Sequence, residues 1–327
     1  MVPPRLIATD LDGTLLRSDG TVSARTRRAL CRAGAAGTEV VLVTARPPRY
    51  VDALGLAADA PTAICGNGAI VYDVANRAAV RTHALPVLVA RAVAQALAAA
   101  LPGVGFAVET GHEVCCEPRF GKRFAADAGT EVAVDSIEDL WRRTDPLVKL
   151  LCWSAELDAD HMLAVALAAL DPAGGSYAGV GSGAVSGSGA AGSAGLPGGG
   201  AAVEVTHSGG RGLLEISAAG VTKAGTLATL CAARGIDPAD VLAFGDMPND
   251  LTILRWAGTG VAMGNAHPAV RAAVRRHTGT NDADGVAEVL DQLFPEPAAR
   301  RTAPAPAPVP SPAGSIADTI PRRRRES

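Results

Sequence analysis

The stretch that most constrains this chain is Leu6-Ile7-Ala8-Thr9-Asp10-Leu11-Asp12-Gly13-Thr14-Leu15-Leu16. A short apolar run ends abruptly in two carboxylates one residue apart, followed by a glycine and a threonine. The run reads as a buried strand, and Gly13 as the turn that ends it. Side chains alternate along a strand, so Asp10 and Asp12 leave its end on the same side. Two acids that close repel each other unless a cation or a shared proton compensates. In a doubly wound sheet that carboxyl edge is also where ligands bind. An Asp-Gly turn with a spare surface acid would explain this stretch equally well on its own. The rest of the chain decides between the two readings.

The pattern of strand, turn and helix repeats downstream. Ser23 caps a helix through Ala33, with Gly34 or Gly37 to end it. Glu39–Val43 is a second continuous apolar run, the pattern of a strand buried on both faces. It ends at Thr44-Ala45-Arg46, where Pro47-Pro48 opens a helix. A third run, Thr62–Cys65, reaches the tight-turn signal Gly66-Asn67-Gly68, and Ala69–Asp73 returns as a strand. These units predict an α/β sheet.

From about residue 84 the style changes. A helix over 88–101, alternating segments at 105–109 and 113–117, a strand within 146–153 and a helix near 158–170 predict a separate α+β domain with an antiparallel sheet. Within it, the tract 173–201 is dominated by Gly, Ser and Ala and reads as a disordered insertion. The α/β style resumes at Leu213–Ile216 and a helix over 223–234 that Gly235 closes. Val241–Phe244 is another buried-strand run, ending in Gly245-Asp246-Met247-Pro248-Asn249-Asp250. A strand at 260–263 and helices near 268–276 and 284–294 complete the pattern. The expected organisation is a discontinuous α/β core (1–83 and 212–294), an inserted domain (84–211) and a disordered Pro/Arg-rich tail (295–327).

A formal net charge of −3 gives no electrostatic reason to expect nucleic acid or an anionic membrane as partner. Arg322–Arg325 reads as a solvated charged end. The six cysteines show no C-x-x-C spacing and mostly lie in apolar segments, so reduced thiols are expected. The first apolar run is the strand itself rather than a leader, and Val87–Leu101 is too short and too interrupted to span a bilayer. A soluble cytoplasmic protein is the expectation.

Four polar clusters sit at or just past the ends of elements: Asp10 with Asp12, Thr44 with Arg46, Lys223, and Asp246 with Asn249 and Asp250. Singly they have plain explanations: a helix cap, a surface lysine, a solvated turn. Together, four carboxylates, a lysine and a hydroxyl at one sheet edge are the parts of a cation-dependent phosphoryl-transfer site. One carboxylate can attack phosphorus, a second can pass a proton, and others can hold Mg²⁺ through hard oxygen ligands.

In these residues the chain resembles the haloacid dehalogenase superfamily of phosphohydrolases, and within it the Cof-type, sugar-phosphatase-like branch. The resemblance runs through Asp10-Leu-Asp-Gly-Thr14, Val43-Thr44, Lys223 and Gly245-Asp246-Met-Pro-Asn-Asp250. It extends to Gly66-Asn67-Gly68-Ala69, Ala262-Met-Gly-Asn-Ala266 and Asp284-Gly-Val286, and covers roughly 5–294 apart from the Gly/Ser tract. It implies a Rossmann-like parallel-sheet core with an inserted α+β cap. Asp10 would be the nucleophile and Asp12 the acid–base. Mg²⁺ would be held by Asp10, the backbone carbonyl of Asp12, Asp246 and Asp250. Thr44, Lys223 and Asn249 would bind the phosphoryl group, and Arg46 and Asn67 are candidate substrate contacts.

Two positions depart from the family pattern. Thr44-Ala45-Arg46 stands where Thr-Gly-Arg is common, and Ala224 separates Lys223 from a glycine that often follows directly. The large insert lies between the second and third motifs, unlike the usual phosphomutase arrangement. Asp12 and the lack of apolar spans set the chain apart from ion-pumping relatives. The expected activity is Mg²⁺-dependent hydrolysis of small phosphorylated metabolites through an aspartyl-phosphate. Transfer to an organic acceptor would use every one of these residues too. A non-catalytic phosphometabolite sensor ranks lower, because Asp10, Asp12 and Lys223 are all present.

Overall fold

The computed structural model describes residues 3–121, 129–142, 146–170, 192–194, 203–209 and 212–296. The chain begins β1 (Leu6–Thr9), α1 (Ala24–Ala35), β2 (Glu39–Val43), α2 (Pro48–Ala53), β3 (Thr62–Cys65), β4 (Ile70–Asp73) and β5 (Ala78–Thr82). It continues through α3 (Val87–Ala100), β6 (Gly105–Glu109), β7 (Val114–Cys116), β8 (Glu131–Ala133), α4 (Ile137–Leu140), β9 (Lys149–Trp153) and α5 (Ala159–Leu170). Then come β10 (Gly192–Ala194), β11 (Val203–Thr206), β12 (Leu213–Ala218), α6 (Lys223–Ala233) and β13 (Val241–Gly245). It ends α7 (Leu251–Trp256), β14 (Thr259–Ala262), α8 (Pro268–Ala273), β15 (Arg276–His277) and α9 (Gly285–Leu293).

One sheet has the order β15-β14-β13-β1-β2-β3-β4-β5, parallel from β15 to β3 and antiparallel beyond. The continuous apolar runs lie at its centre: β1 and β13 are wholly buried, as such runs require when helices cover both faces. The carboxyl ends of β1, β2 and β13 therefore lie side by side, with Thr9 in register with Phe244 and Leu42. That register brings three of the sequence clusters to one edge.

The second sheet, β10-β11-β12-β9-β6-β7-β8, is antiparallel except for β7 against β8. Its period-two strands divide cleanly. Phe106, Val108, Leu150, Cys152, Leu214 and Ile216 pack in a core with α3 and α5. The alternate residues Glu109, Lys149, Leu151, Leu213 and Glu215 line a cavity on the other face.

Several elements differ from expectation. Leu213–Ala218 does not rejoin the first sheet but pairs with β9 and β11 in the second, so the chain re-enters the first layer only at α6. An apolar run states that a strand is buried, not which sheet buries it. The helix expected to 276 stops at Ala273, where β-branched Val274 takes extended backbone and Arg276–His277 pair with β14. Strands β5, β8 and β11 and helix α4 are short segments without a long apolar run, and β5 is exposed throughout. Most of the Gly/Ser tract lies outside the described residues. Its Gly192–Ala194 pairs with β11 as a strand rather than being disordered, since main-chain bonding to an edge asks little of side chains. The Pro/Arg-rich tail beyond 296 also lies outside the described residues. No described helix is long and apolar enough to cross a membrane. All six cysteines are free thiols.

Candidate active site

Asp10 follows β1 directly and is buried. The chain then turns tightly through Leu11–Leu15, with Gly13 in the left-handed region at φ +73°. Gly13 is required twice. Its φ disfavours any side chain, and a Cβ there would lie 2.2 Å from Oδ2 of Asp246. Thr14 Oγ1 donates to Asp246 Oδ1 at 2.9 Å, so the first turn helps to hold the acid that follows β13.

Asp250, buried completely, folds back on its own loop. Its Oδ2 accepts from the backbone N–H of Asp246 and of Met247, each at 3.0 Å. Its Oδ1 accepts from Lys223 Nζ at 2.7 Å, and Lys223 donates at the same distance to Asp10 Oδ1. Lys223 lies in the first turn of α6, which Thr222 caps through Gly225 N–H; Ala224 does not disturb the helix. Burial alone would lower the lysine, but the Asp10 and Asp250 carboxylates outweigh it and hold the ammonium above its ordinary value.

Carboxylate oxygens of Asp10, Asp246 and Asp250 all lie within 4.8 Å of one another. Burial and crowding both oppose the ionisation of Asp10 and Asp246. Burial, with Asp250 next, pushes Asp246 up to about 7, and burial raises Asp10 well above the carboxylate range despite Lys223. Three hard oxygen donors that resist being ionised together are a donor set suited to a divalent cation such as Mg²⁺.

Asp12 is placed differently. Its carboxylate does not join the cluster but meets the Arg46 guanidinium, Nε to Oδ2 at 2.6 Å and Nη2 to Oδ1. Arg46 in turn lies over the Tyr50 ring at 5.4 Å. Thr44 is buried at the end of β2, its Oγ1 accepting from Arg46 N–H at 3.1 Å. Asn67 takes a left-handed backbone at φ 59° after β3, and Asn249 Nδ2 donates to its Oδ1 at 3.1 Å. All nine residues singled out in the sequence thus gather around this sheet edge. Asp10, Asp12, Arg46 and Asn249 line a cavity of about 470 Å³ that the open face of the second sheet closes.

The motif-bearing turns agree with a match along most of the chain. The model of the haloacid dehalogenase-like hydrolases matches residues 7–169 and 200–290. The chain belongs to that family. As a member it is a hydrolase. It is similar to the 5-amino-6-(5-phospho-D-ribitylamino)uracil phosphatase YwtE of Bacillus subtilis, 26% identical over 89% of this chain and 98% of that one. The pyridoxal phosphate phosphatase YbhA of Escherichia coli is 28% identical over 88% and 97%. Among solved structures, a haloacid dehalogenase-like hydrolase from Bacteroides thetaiotaomicron superposes with a TM-score of 0.63 at 26% identity, covering 89% of this chain and all of that one.

The structure of the hydrolase also adds residues that no motif marked. Arg49 on α2 meets Glu109 of β6 through two parallel bonds of 2.8 Å. Lys149 of β9 and Glu215 of β12 form a second pair, both nearly sealed from solvent. Ser208 Oγ donates to Glu215 Oε1. Apolar Val114, Leu151, Leu213 and Met247 also line the wall. The sequence does carry a faint signal: Lys149 and Glu215 are lone charges within otherwise apolar runs, where burial without a partner is expensive.

Proposed function

We propose that the chain is a Mg²⁺-dependent phosphatase of small phosphorylated metabolites that works through a phospho-Asp10 intermediate. The observation that carries this reading is Lys223 Nζ held 2.7 Å from both Asp10 and Asp250 beside a cavity large enough for a metabolite. In this reading Asp10 attacks phosphorus while Lys223 and the N–H donors of the turns offset the charge of the phosphoryl oxygens. Thr44 and Asn249 complete the phosphoryl contacts. Asp12, oriented by Arg46, protonates the leaving oxygen and later takes a proton from the water that hydrolyses phospho-Asp10. Asp10, Asp246 and the backbone carbonyl of Asp12 would hold Mg²⁺, with Asp250 in support. When bound, the ion supplies charge that lets a phosphate dianion approach carboxylates.

Residues 84–211 act as a cap whose sheet, extended by β12, selects the leaving group. Arg49–Glu109, Lys149–Glu215 and Ser208 offer hydrogen bonds, while Val114, Leu151 and Leu213 offer an apolar face. That mixture suits a leaving group with both polar substituents and an apolar or aromatic body. The curated relatives named for pyridoxal phosphate and for a ribitylaminouracil phosphate fit this description, as do sugar phosphates in the polar half of the wall.

The experiment is a panel of phosphorylated metabolites with purified protein and Mg²⁺, following released inorganic phosphate. Turnover of at least one member is expected, with Asp10→Asn folded but inactive. Hydrolysis by Asp10→Asn at near the original rate would overturn the nucleophile.

A further inference from the structure

One buried side-chain polar atom among the described residues has no hydrogen-bond partner: Oδ1 of Asn249. Asn249 lines the cavity, yet this oxygen is sealed from it. Any polar contact that Asn249 makes to a bound group therefore comes from its Nδ2. An amide turned end for end has nearly the same shape, so hydrogen-bond partners decide which end faces where. This orientation leaves an acceptor unsatisfied, so something outside Asn249 imposes it.

The source is two residues away. Asn249 Nδ2 donates to Asn67 Oδ1 at 3.1 Å, and Asn67 Nδ2 donates to Glu215 Oε2 at 3.0 Å. A carboxylate only accepts. Asn67 must turn its NH₂ to Glu215 and its oxygen to Asn249, and Asn249 must then turn its own NH₂ to Asn67, which leaves the second N–H of that NH₂ for the cavity. Glu215 is itself held on both sides. Lys149 donates to the same Oε2 and to the carbonyl of Ala45 at 2.8 Å, and Ser208 Oγ donates to Oε1. Burial would raise Glu215, but Lys149 and Ser208 outweigh it and keep its carboxyl below the ordinary range, hence ionised. Were the chain of amides reversed, Asn249 would offer an oxygen to the phosphoryl oxygens and repel them.

We propose that Glu215 is a positioning residue for phosphoryl binding: through Asn67 it fixes the amide polarity of Asn249, so that an N–H donor faces the bound phosphoryl group. The inference rests on the reading of Asn249 as a phosphoryl contact. It gives the second sheet a part in the phosphate site, apart from any contact with the leaving group.

The test uses the full chain, with inorganic phosphate as the probe, read as its inhibition constant against nitrophenyl phosphate. Melting temperature, KM and kcat are measured alongside. Asn249→Ala should weaken phosphate about tenfold, the worth of one hydrogen bond to a charged group. Asn67→Ala and Glu215→Leu should each weaken it about as much, and the double variant no further, because all three cut one chain. Glu215→Gln should weaken phosphate clearly less than Glu215→Leu. Lys149, a donor only, holds the Gln oxygen at the Oε2 position, which leaves its NH₂ for Ser208 and preserves the polarity. If Glu215→Leu does not fold, Asn67→Ala carries the test, since it leaves the ion pair intact. The relay is overturned if Asn67→Ala binds phosphate normally while Asn249→Ala does not, or if Glu215→Gln is as impaired as Glu215→Leu. If Asn249→Ala itself binds phosphate normally, the reading of Asn249 falls first and the relay falls with it.

Discussion

Arg46 holds Asp12 fork to fork, its Nε 2.6 Å from Oδ2 and its Nη2 on the other carboxylate oxygen. The pair has two exposures: the arginine is largely covered, whereas 54% of the Asp12 side chain, which lines the cavity, stays exposed. A rigid bidentate partner fixes the direction of a carboxylate without burying it. In the proposed reading this aims Asp12 at the leaving group; to donate there it must first carry a proton, which frees one of its oxygens from Arg46.

Arg46→Ala should therefore slow turnover through Asp12. The loss should be smaller than the about 10²–10⁴-fold that removing a positioned acid–base costs. It should depend on the leaving group: large for a sugar alkoxide, which needs a proton, and small for nitrophenolate, which does not. Pre-steady-state formation of phospho-Asp10 from the two substrates is the measurement. Equal slowing would mean that Arg46 acts on something other than Asp12.

Metal binding should be visible without any substrate. In the metal-free protein, burial and Asp250 push Asp246 up to about 7, far above its unfolded value of 3.8. The folded state thus binds a proton between those values that the unfolded chain has lost, so this group's contribution to stability falls as pH rises from about 4 to about 7. Mg²⁺ competes with that proton, and its affinity should increase as pH rises through the same range. At a hundred times its Kd the ion should stabilise the fold by about 2.7 kcal/mol. Thermal melts with Mg²⁺ and with chelator, at pH 6 and pH 8, should show the larger gain at pH 8. Asp246→Asn should abolish both the gain and its pH dependence.

Gly13→Ala tests the turn itself. A Cβ would sit 2.2 Å from Asp246 Oδ2 on a backbone at φ +73°. Strain of this kind costs about 1–3 kcal/mol. Because the clash is with a carboxylate of the acidic cluster, Mg²⁺ affinity should fall together with melting temperature. An alanine variant that keeps its Mg²⁺ response would mean that Asp246 is not a ligand.

The chemistry at the edge of the first sheet was legible because each residue ends its own apolar run. Asp10 after β1, Thr44 after β2 and Asp246 after β13 need only the parallel sheet to become neighbours, and continuous apolar runs imply that sheet. Lys223 needed no more than a capped helix start. The cavity wall was not legible, for a different reason. Lys149 and Glu215 become partners only through the register of β9 with β12, which sets Glu215 opposite Leu151 and diagonal to Lys149. The run Leu213–Ile216 looks alike whichever sheet receives it, so its assignment to the first sheet was wrong. Arg49 and Glu109 are further removed still, joined by the approach of α2 to β6, which nothing local encodes.

The Arg49–Glu109 pair allows a last prediction. Both side chains are largely buried, at 14% and 7% exposure, and Glu109 also accepts from Gly111 N–H at 2.7 Å. Removing one member of such a pair leaves the other charge without compensation and costs about 3–5 kcal/mol, whereas replacing both by apolar groups of similar size is close to neutral. Glu109→Gln should thus melt well below the original protein, and Arg49→Met with Glu109→Leu should recover most of the loss. The recovered double variant still lacks two polar groups of the cavity wall. It should turn over small substrates such as nitrophenyl phosphate nearly as before, while kcat/KM for its best polyhydroxylated substrate falls. Chemical denaturation of Arg49→Met, Glu109→Leu and the double variant closes the stability cycle, and the two substrates separate folding from selection. If the double variant is less stable than Glu109→Gln, the pair stabilises the fold outright; if its substrate preference is unchanged, the leaving group does not reach this wall.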